Sequence, residues 1–209
     1  MISKNIDNLI ENYSKKGTIM VTFKSKDNPI TAVDFKKLKE YCNKVDKEFI
    51  AIGDAGESNH LLVGRFMTDK KKPEIVKNQF SKKIISILKK KNIINFIKDV
   101  IKTKKDLHLR RVQFNQIEKN CFVGYHLDVD SNPDYTVACV IQLGSNFTGG
   151  IYRVYQKDKK TFYDYPPTEG SLILSNCLYP HEVTKVKSGM RGSLVFFLSF
   201  NKGLNKRKN

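Results

Sequence analysis

The chain has 209 residues and a mass of 24.1 kDa, enough to bury one substantial core. Apolar residues make up 40% and charged residues 28%, which excludes a disordered chain. Lys and Arg number 38 against 21 Asp and Glu, and the resulting +17 nominates a nucleic-acid binder at first sight. Only six of those cations are Arg, however, and the Lys excess comes with abundant Ile and Asn, a trio that codon drift in an AT-rich genome produces. Proteins selected to grip phosphate lean on the planar fork of Arg.

Taken in chain order, the first residues, Met-Ile-Ser-Lys-Asn-Ile-Asp, lack the apolar stretch of a secretory signal. Residues 19–23 are strand-like. Ala32–Lys44 carries Val33, Leu38 and Tyr41 at helical offsets behind Thr31, an expected N-cap. Residues 61–67 are strand-like again. A helix is predicted over 73–90, with Pro73 at its first position and a stripe of Ile75, Val76, Phe80, Ile84, Ile87 and Leu88. A second is predicted over 92–102, built on Ile93, Ile94, Phe96, Ile97, Val100 and Ile101. From Leu107 the pattern turns to β, with strands expected at 107–117, 121–127, 136–143, 150–155, 161–165, 171–174, 182–187 and 193–200. Turn residues such as Asn132-Pro133, Gly149-Gly150, Pro166-Pro167 and Ser188-Gly189 separate them.

Eight short strands after a helical stretch predict an α+β chain with a mainly β core. The expected architecture is an antiparallel double-sheet barrel of jelly-roll type, with helices packed on one sheet. One domain is expected over 1–209, with a mostly helical buttress at 1–105, the β core at 106–200 and a disordered basic tail at 201–209. No apolar run approaches the roughly 18 residues of a membrane span, so a soluble, cytoplasmic or otherwise intracellular protein with no membrane partner is expected. Cys42, Cys121, Cys139 and Cys177 show no CxxC spacing, and neither GxxxxGK[ST] nor GxGxxG occurs, so zinc-knuckle, redox-pair and common nucleotide-loop readings lack support.

The chemistry concentrates on two of four histidines. His126 and Asp128 stand two apart, so on a strand their side chains share a face and can meet one ion. His181 opens a late strand that a jelly roll can bring beside His126. Two His and one carboxylate on one side of a metal form the facial triad of non-haem Fe(II) oxygenases, whose open positions admit O2 and a co-substrate. Arg191 follows ten residues after His181. Inside an apolar barrel a guanidinium calls for an anion, such as the far carboxylate of an iron-chelating dicarboxylate, with Ser193 on the same face adding a hydrogen bond. His60 and His108 have no partner pattern. Asp130 reads as part of a solvated loop, and Tyr152, Tyr155, Tyr163 and Tyr165 read as sheet packing.

The stretch 109–200, about half the chain, resembles the catalytic core of the 2-oxoglutarate/Fe(II)-dependent dioxygenase superfamily, in its prolyl-4-hydroxylase-like branch. The resemblance rests on His126-x-Asp128, Phe147-Thr148-Gly149-Gly150, Gly170-Ser171-Leu172-Ile173-Leu174, Pro180-His181-Glu182-Val183, and Gly189-Met190-Arg191 leading into Leu194-Val195-Phe196-Phe197. It implies a double-stranded β-helix of cupin-like type, with Fe(II) on His126, Asp128 and His181 as the catalytic centre. It further implies 2-oxoglutarate as co-substrate against Arg191 and Ser193, O2 as oxidant, and ascorbate as an auxiliary reductant. Alignment to the family adds Gln142, where relatives often carry a co-substrate-touching Tyr, together with Val140 and Asn115. The implied reaction hydroxylates an unactivated C–H of a peptide or protein, an amino acid or another small molecule, converting 2-oxoglutarate and O2 to succinate and CO2. A nucleic-acid-directed relative, an AlkB-like demethylase or base hydroxylase, would share the ligands and use the +17, yet the second Arg typical of those enzymes is replaced by Phe197. A catalytically inactive jelly-roll binding module is disfavoured by the intact triad.

Overall fold

The computed structural model describes residues 4–207; Met1 to Ser3, Lys208 and Asn209, which fall in the expected buttress and tail, lie outside them. The chain opens with α1 (Lys4–Lys16), β1 (Thr18–Val21) and α2 (Ala32–Lys44). Helix α2 starts where the sequence places it because the Thr31 hydroxyl accepts a hydrogen bond from the Asp34 N–H at 3.1 Å. There follow β2 (Glu48–Ile52), β3 (Ser58–Asp69), β4 (Pro73–Ile75), α3 (Ser81–Leu88) and α4 (Lys91–Val100). The sequence reading missed α1 and β2, and it made α3 too long. Pro73 begins a short edge strand paired with Asp69 of β3, where a missing N–H is tolerated. The helix starts only after Asn78, whose Oδ1 accepts from the N–H groups of Phe80 and Ser81, both at 2.9 Å.

The second half comprises β5 (His108–Ile117), β6 (Val123–His126), α5 (Asp128–Ser131), β7 (Val137–Gln142), β8 (Phe147–Gly149), β9 (Tyr152–Tyr155) and β10 (Phe162–Tyr165). It ends with β11 (Leu172–Asn176), β12 (His181–Val183), β13 (Val186–Gly189) and β14 (Arg191–Ser199). The expected strand at 182–187 is therefore two strands, β12 in the main sheet and β13 in a ribbon with β8. The main sheet runs β1-β11-β7-β14-β5-β3-β6-β12-β9-β10 with antiparallel pairing. It folds into a nearly closed barrel, the double-stranded β-helix expected. Strand β3 links its two halves, pairing with β5 from Leu62 to Met67 and meeting β6 at Asn59 and Val123. Residues 1–105 thus supply barrel strands as well as a helical layer.

Period-two alternation decides what faces what. On β14, Leu194, Phe196 and Leu198 join the outer core beneath the helices, while Arg191, Ser193, Val195 and Phe197 point into the barrel. Strands β5 and β7 repeat this, with Val112, Phe114, Val137, Cys139 and Ile141 outward and Arg111, Gln113, Asn115, Ala138 and Val140 inward. Helices α3 and α4 close the outer core with Ile84, Leu88, Ile93, Phe96, Ile97 and Val100, each contributing about 1.5–3 kcal/mol on burial. Buried on both faces, β7 reads as an unbroken apolar run. Among the described residues no helix is long and apolar enough to cross a membrane.

The tail is ordered through Arg207, contrary to the expectation of disorder. A buried ion pair anchors it: Arg110 and Asp69 are both 0% exposed, and Nε and Nη2 of Arg110 donate to the two Asp69 oxygens at 3.0 and 2.9 Å. Arg110 also donates to the Asn201 carbonyl, and the Asn205 amide donates to the carbonyls of Asp69 and Ser131. Removing one partner of such a pair leaves an uncompensated buried charge. Asp69→Asn is therefore expected to cost about 3–5 kcal/mol, read from the denaturant midpoint. A loss below about 1 kcal/mol would show that the pair contributes no more than a surface pair does.

Candidate active site

His126 ends β6, and a glycine sets the approach of that strand. A Cβ on Gly124 would sit 2.3 Å from the Ser58 carbonyl oxygen, so only glycine lets β6 lie this close to β3. The Gly124 carbonyl is 2.8 Å from His126 Nδ1, and the Tyr179 carbonyl is 3.2 Å from His181 Nδ1. Each imidazole is thereby oriented with Nε2 turned toward Asp128, the arrangement in which histidines bind metals. His126 and His181 are register partners across β6 and β12, and their ring centres lie 4.3 Å apart.

Asp128 lies just past the strand expected at 121–127 and is the first residue of α5. Leu127 is extended (φ −112°, ψ 131°), which preserves the same-face geometry of positions two apart. The Asp128 turn is tied to the buried pair beneath it, since the Asn132 amide donates to Asp69 Oδ2 at 2.8 Å. Asp128 Oδ1 lies 3.4 Å from His126 Nε2 and 3.7 Å from His181 Nε2. Its Oδ2 is buried without a hydrogen-bond partner. One ligand atom from each of the three residues falls within 4.8 Å of the others. Two aimed imidazole nitrogens around a carboxylate with an orphaned oxygen fit a divalent cation.

The charges agree with that. At Asp128, burial alone would raise the pKa, but His181, His126 and Arg111 outweigh it and hold the carboxyl below its usual range. At His126, burial is likewise outweighed, here by the hydrogen bond and charge of Asp128, with help from Glu57 and the Gly124 carbonyl, which raise the imidazole to about 9. At His181 burial prevails over Asp128 and lowers the pKa. Near neutral pH the metal-free site thus holds its carboxylate ionised, His181 neutral and His126 protonated. Metal uptake must expel the His126 proton, so apparent affinity should fall about tenfold per pH unit as pH drops below about 9. Zn(II) titrated calorimetrically at pH 7.5 in buffers of different ionisation enthalpy should release about one proton per metal; no release would contradict this assignment.

Arg191 begins β14 and is 2% exposed. Its Nη1 donates to Ser193 Oγ at 3.1 Å, while its Nε has no partner. Burial pulls the guanidinium down to about 10. The Gly149-Gly150 pair makes room for it, because Gly150 has φ +60° and a Cβ there would meet Arg191 Cδ at 2.9 Å. A buried cation with an unspent N–H facing a cavity fits an anionic ligand.

Arg191, Ser193, Asn115, Val140 and the triad all line one cavity, open to solvent. Gln142 does not. It pairs with Ser193 in register, but its NH2 donates to the carbonyls of Gly192 at 2.9 Å and Gly144 at 3.1 Å, leaving no donor for a co-substrate. The sequence reading also passed over Tyr152, Arg111, Arg65, Asn59 and Glu57, which line the same cavity. Tyr152 was read as packing; its ring centre is 5.2 Å from that of His181 and its hydroxyl has no strict hydrogen-bond partner. The polar alternation Arg111-x-Gln113-x-Asn115, interleaved with Val112 and Phe114 on β5, was the available signal.

A jelly-roll barrel holding a His-Asp-His cluster beside a buried arginine defines the class of non-haem iron oxygenases that take 2-oxoglutarate. The profile of the 2OG-Fe(II) oxygenase superfamily matches residues 112–199. A crystal structure of an oxidoreductase of the 2OG-Fe(II) oxygenase family from Burkholderia pseudomallei superimposes with a TM-score of 0.88 at 30% identity, covering 97% of this chain and 94% of that one. A Pseudomonas putida prolyl-4-hydroxylase (TM-score 0.60, 14% identity, 93% and 98% covered) shares the fold. So does a Trichoplax adhaerens prolyl hydroxylase solved with a peptide of hypoxia inducible factor (0.65, 12%, 94% and 89%). No curated protein matches. The chain belongs to the 2OG-Fe(II) oxygenase family, whose cofactors are Fe(II), 2-oxoglutarate and O2, with His126, Asp128 and His181 as its iron site.

Proposed function

We propose that this oxygenase hydroxylates an unactivated C–H bond of a peptide, an amino acid or another small molecule. The observation that carries the reading is the convergence of the triad and Arg191 on one cavity. Bound there, iron with 2-oxoglutarate supplies the activation of O2 that replaces C–H by C–OH and releases succinate and CO2. The chain's own groups do the positioning. His126, Asp128 and His181 would hold the metal, and all three line the cavity. Arg191 and Ser193 would hold the distal carboxylate, and Asn115 and Val140 would line the wall beside it. Leu61, Val63, Val123 and Val183 exclude water around the reacting groups.

The prolyl hydroxylases among the structural neighbours support hydroxylation through the shared fold. The nucleic-acid alternative is disfavoured by Phe197, which lines the cavity at the position where those relatives typically carry a second Arg. The test is turnover of 2-oxoglutarate to succinate under 18O2 with peptide and amino-acid pools. Stimulated succinate formation with one 18O in a product hydroxyl is expected. Stimulation with no oxygen transferred would overturn hydroxylation.

A further inference from the structure

Six arginines stand among 38 cations in this chain, and three of them, Arg65, Arg111 and Arg191, line the cavity, whereas no lysine among the described residues does. In so Lys-biased a composition, that segregation marks sites where the planar guanidinium itself is required. Arg191 is accounted for by the co-substrate. The register of β5 against β14 puts Arg191 opposite Ile117 and Arg111 opposite Phe197, six residues further along the ladder. The two arginines are therefore rooted about 20 Å apart along the ladder.

Arg111 is built to receive something. Its side chain is 12% exposed, and the guanidinium lies over the Phe197 ring. Nε donates to Gln113 Oε1 at 2.8 Å, and Gln113 in turn donates to Asn115 Oδ1 at 2.8 Å, which fixes the fork along β5. Its carboxylate partner, by contrast, is partly exposed. Asp54, 39% exposed in the turn between β2 and β3, meets Nη1 at 2.8 Å. Arg65 at the rim repeats the arrangement with Glu48 of β2. An ion pair whose anion is solvent-exposed is worth little, so exchanging that anion for another costs little.

We propose that Arg111 is the substrate-recognition residue, and that the substrate carries a carboxylate that displaces Asp54 from it. This rests on the oxygenase reading above and names its substrate class: a free amino acid or similar acid, or a peptide presenting an acidic side chain or free C-terminus. Asp54 then acts as an internal stand-in that keeps the guanidinium aligned until the substrate arrives.

The experiment uses the full chain with Fe(II) and 2-oxoglutarate and reads succinate. Its probes are a pool of the L-amino acids against a pool of their amides, and peptides with free against amidated C-termini and Glu against Gln. The same pools are read as melting shifts with Zn(II) in place of iron, where no turnover occurs. At least a tenfold preference for one of the carboxylate pools is expected, and which pool responds identifies the source. Arg111→Gln should lose that response while the visible band of the Fe(II)–2-oxoglutarate complex persists. Asp54→Asn, a change in an exposed turn, should lower the concentration of acid needed several-fold. Equal response to acids and amides, an undiminished response in Arg111→Gln, or no response to any carboxylate pool in a protein that shows the band would overturn the proposal. Absence of the band itself would strike the oxygenase reading instead.

Discussion

Asp128→Ala is expected to abolish iron binding and to lower 2-oxoglutarate turnover by at least about a thousandfold. Asp128 is the only carboxylate in the triad and the only group there that offsets the charge of a divalent cation. It also bridges the cluster, with one oxygen within 3.4 Å of His126 Nε2 and 3.7 Å of His181 Nε2, and the other buried and unspent. Without it two neutral imidazoles remain, and they offer no anion. Asp128→Asn should fail almost as completely, because it keeps the shape and removes the charge. Metal content after anaerobic reconstitution and succinate formation check this together. Near-stoichiometric iron in Asp128→Ala would mean that the metal is held elsewhere.

Arg191→Met should raise the Kd for 2-oxoglutarate by roughly 100- to 1,000-fold, corresponding to about 3–4 kcal/mol. That is the scale expected when one member of a desolvated charge pair is removed and the other is left buried. The apo protein provides the opposing sign. There Arg191 is a buried cation with an unpartnered Nε, so a side chain of similar volume and no charge should leave the melting temperature unchanged or raise it. Arg191→Lys should recover only part of the affinity, since an ammonium cannot form the planar fork. Co-substrate affinity measured on metal-loaded protein, with apo melting alongside, separates the two effects. Unchanged affinity in Arg191→Met would move the distal carboxylate to another residue.

The contrast between what the sequence reveals and what it hides follows from the range of the interactions. The Thr31 cap and the α4 stripe are local, and both are where the pattern puts them. The triad was legible because the metal demands particular residue types, and because Leu127 keeps Asp128 on the His126 face although the strand stops one residue short. The false extension of α3 back to Pro73 has a plain cause: proline suits both a first helical turn and an edge strand, and only pairing with β3 decides between them. The tail misled for a similar reason, since its hydrogen bonds to Arg110, Asp69 and Ser131 are long-range. Gln142 sits on the anticipated strand beside Ser193, but the carbonyls of Gly144 and Gly192 claim its amide, which a single sequence does not disclose. Arg111 was obscured by the charge excess itself: among 38 cations only the alternation with Gln113 and Asn115 set it apart, and only the cavity shows where it points.

On the proposed reading, His126, Asp128, His181 and Arg191 together assemble an iron and 2-oxoglutarate site. The anaerobic visible spectrum of the wild-type protein with Fe(II) tests it most directly. Addition of 2-oxoglutarate should produce the weak metal-to-ligand charge-transfer band, saturating at one equivalent and missing in His126→Ala and Asp128→Ala. A folded wild-type protein that takes up Fe(II) and 2-oxoglutarate without developing that band would contradict the account.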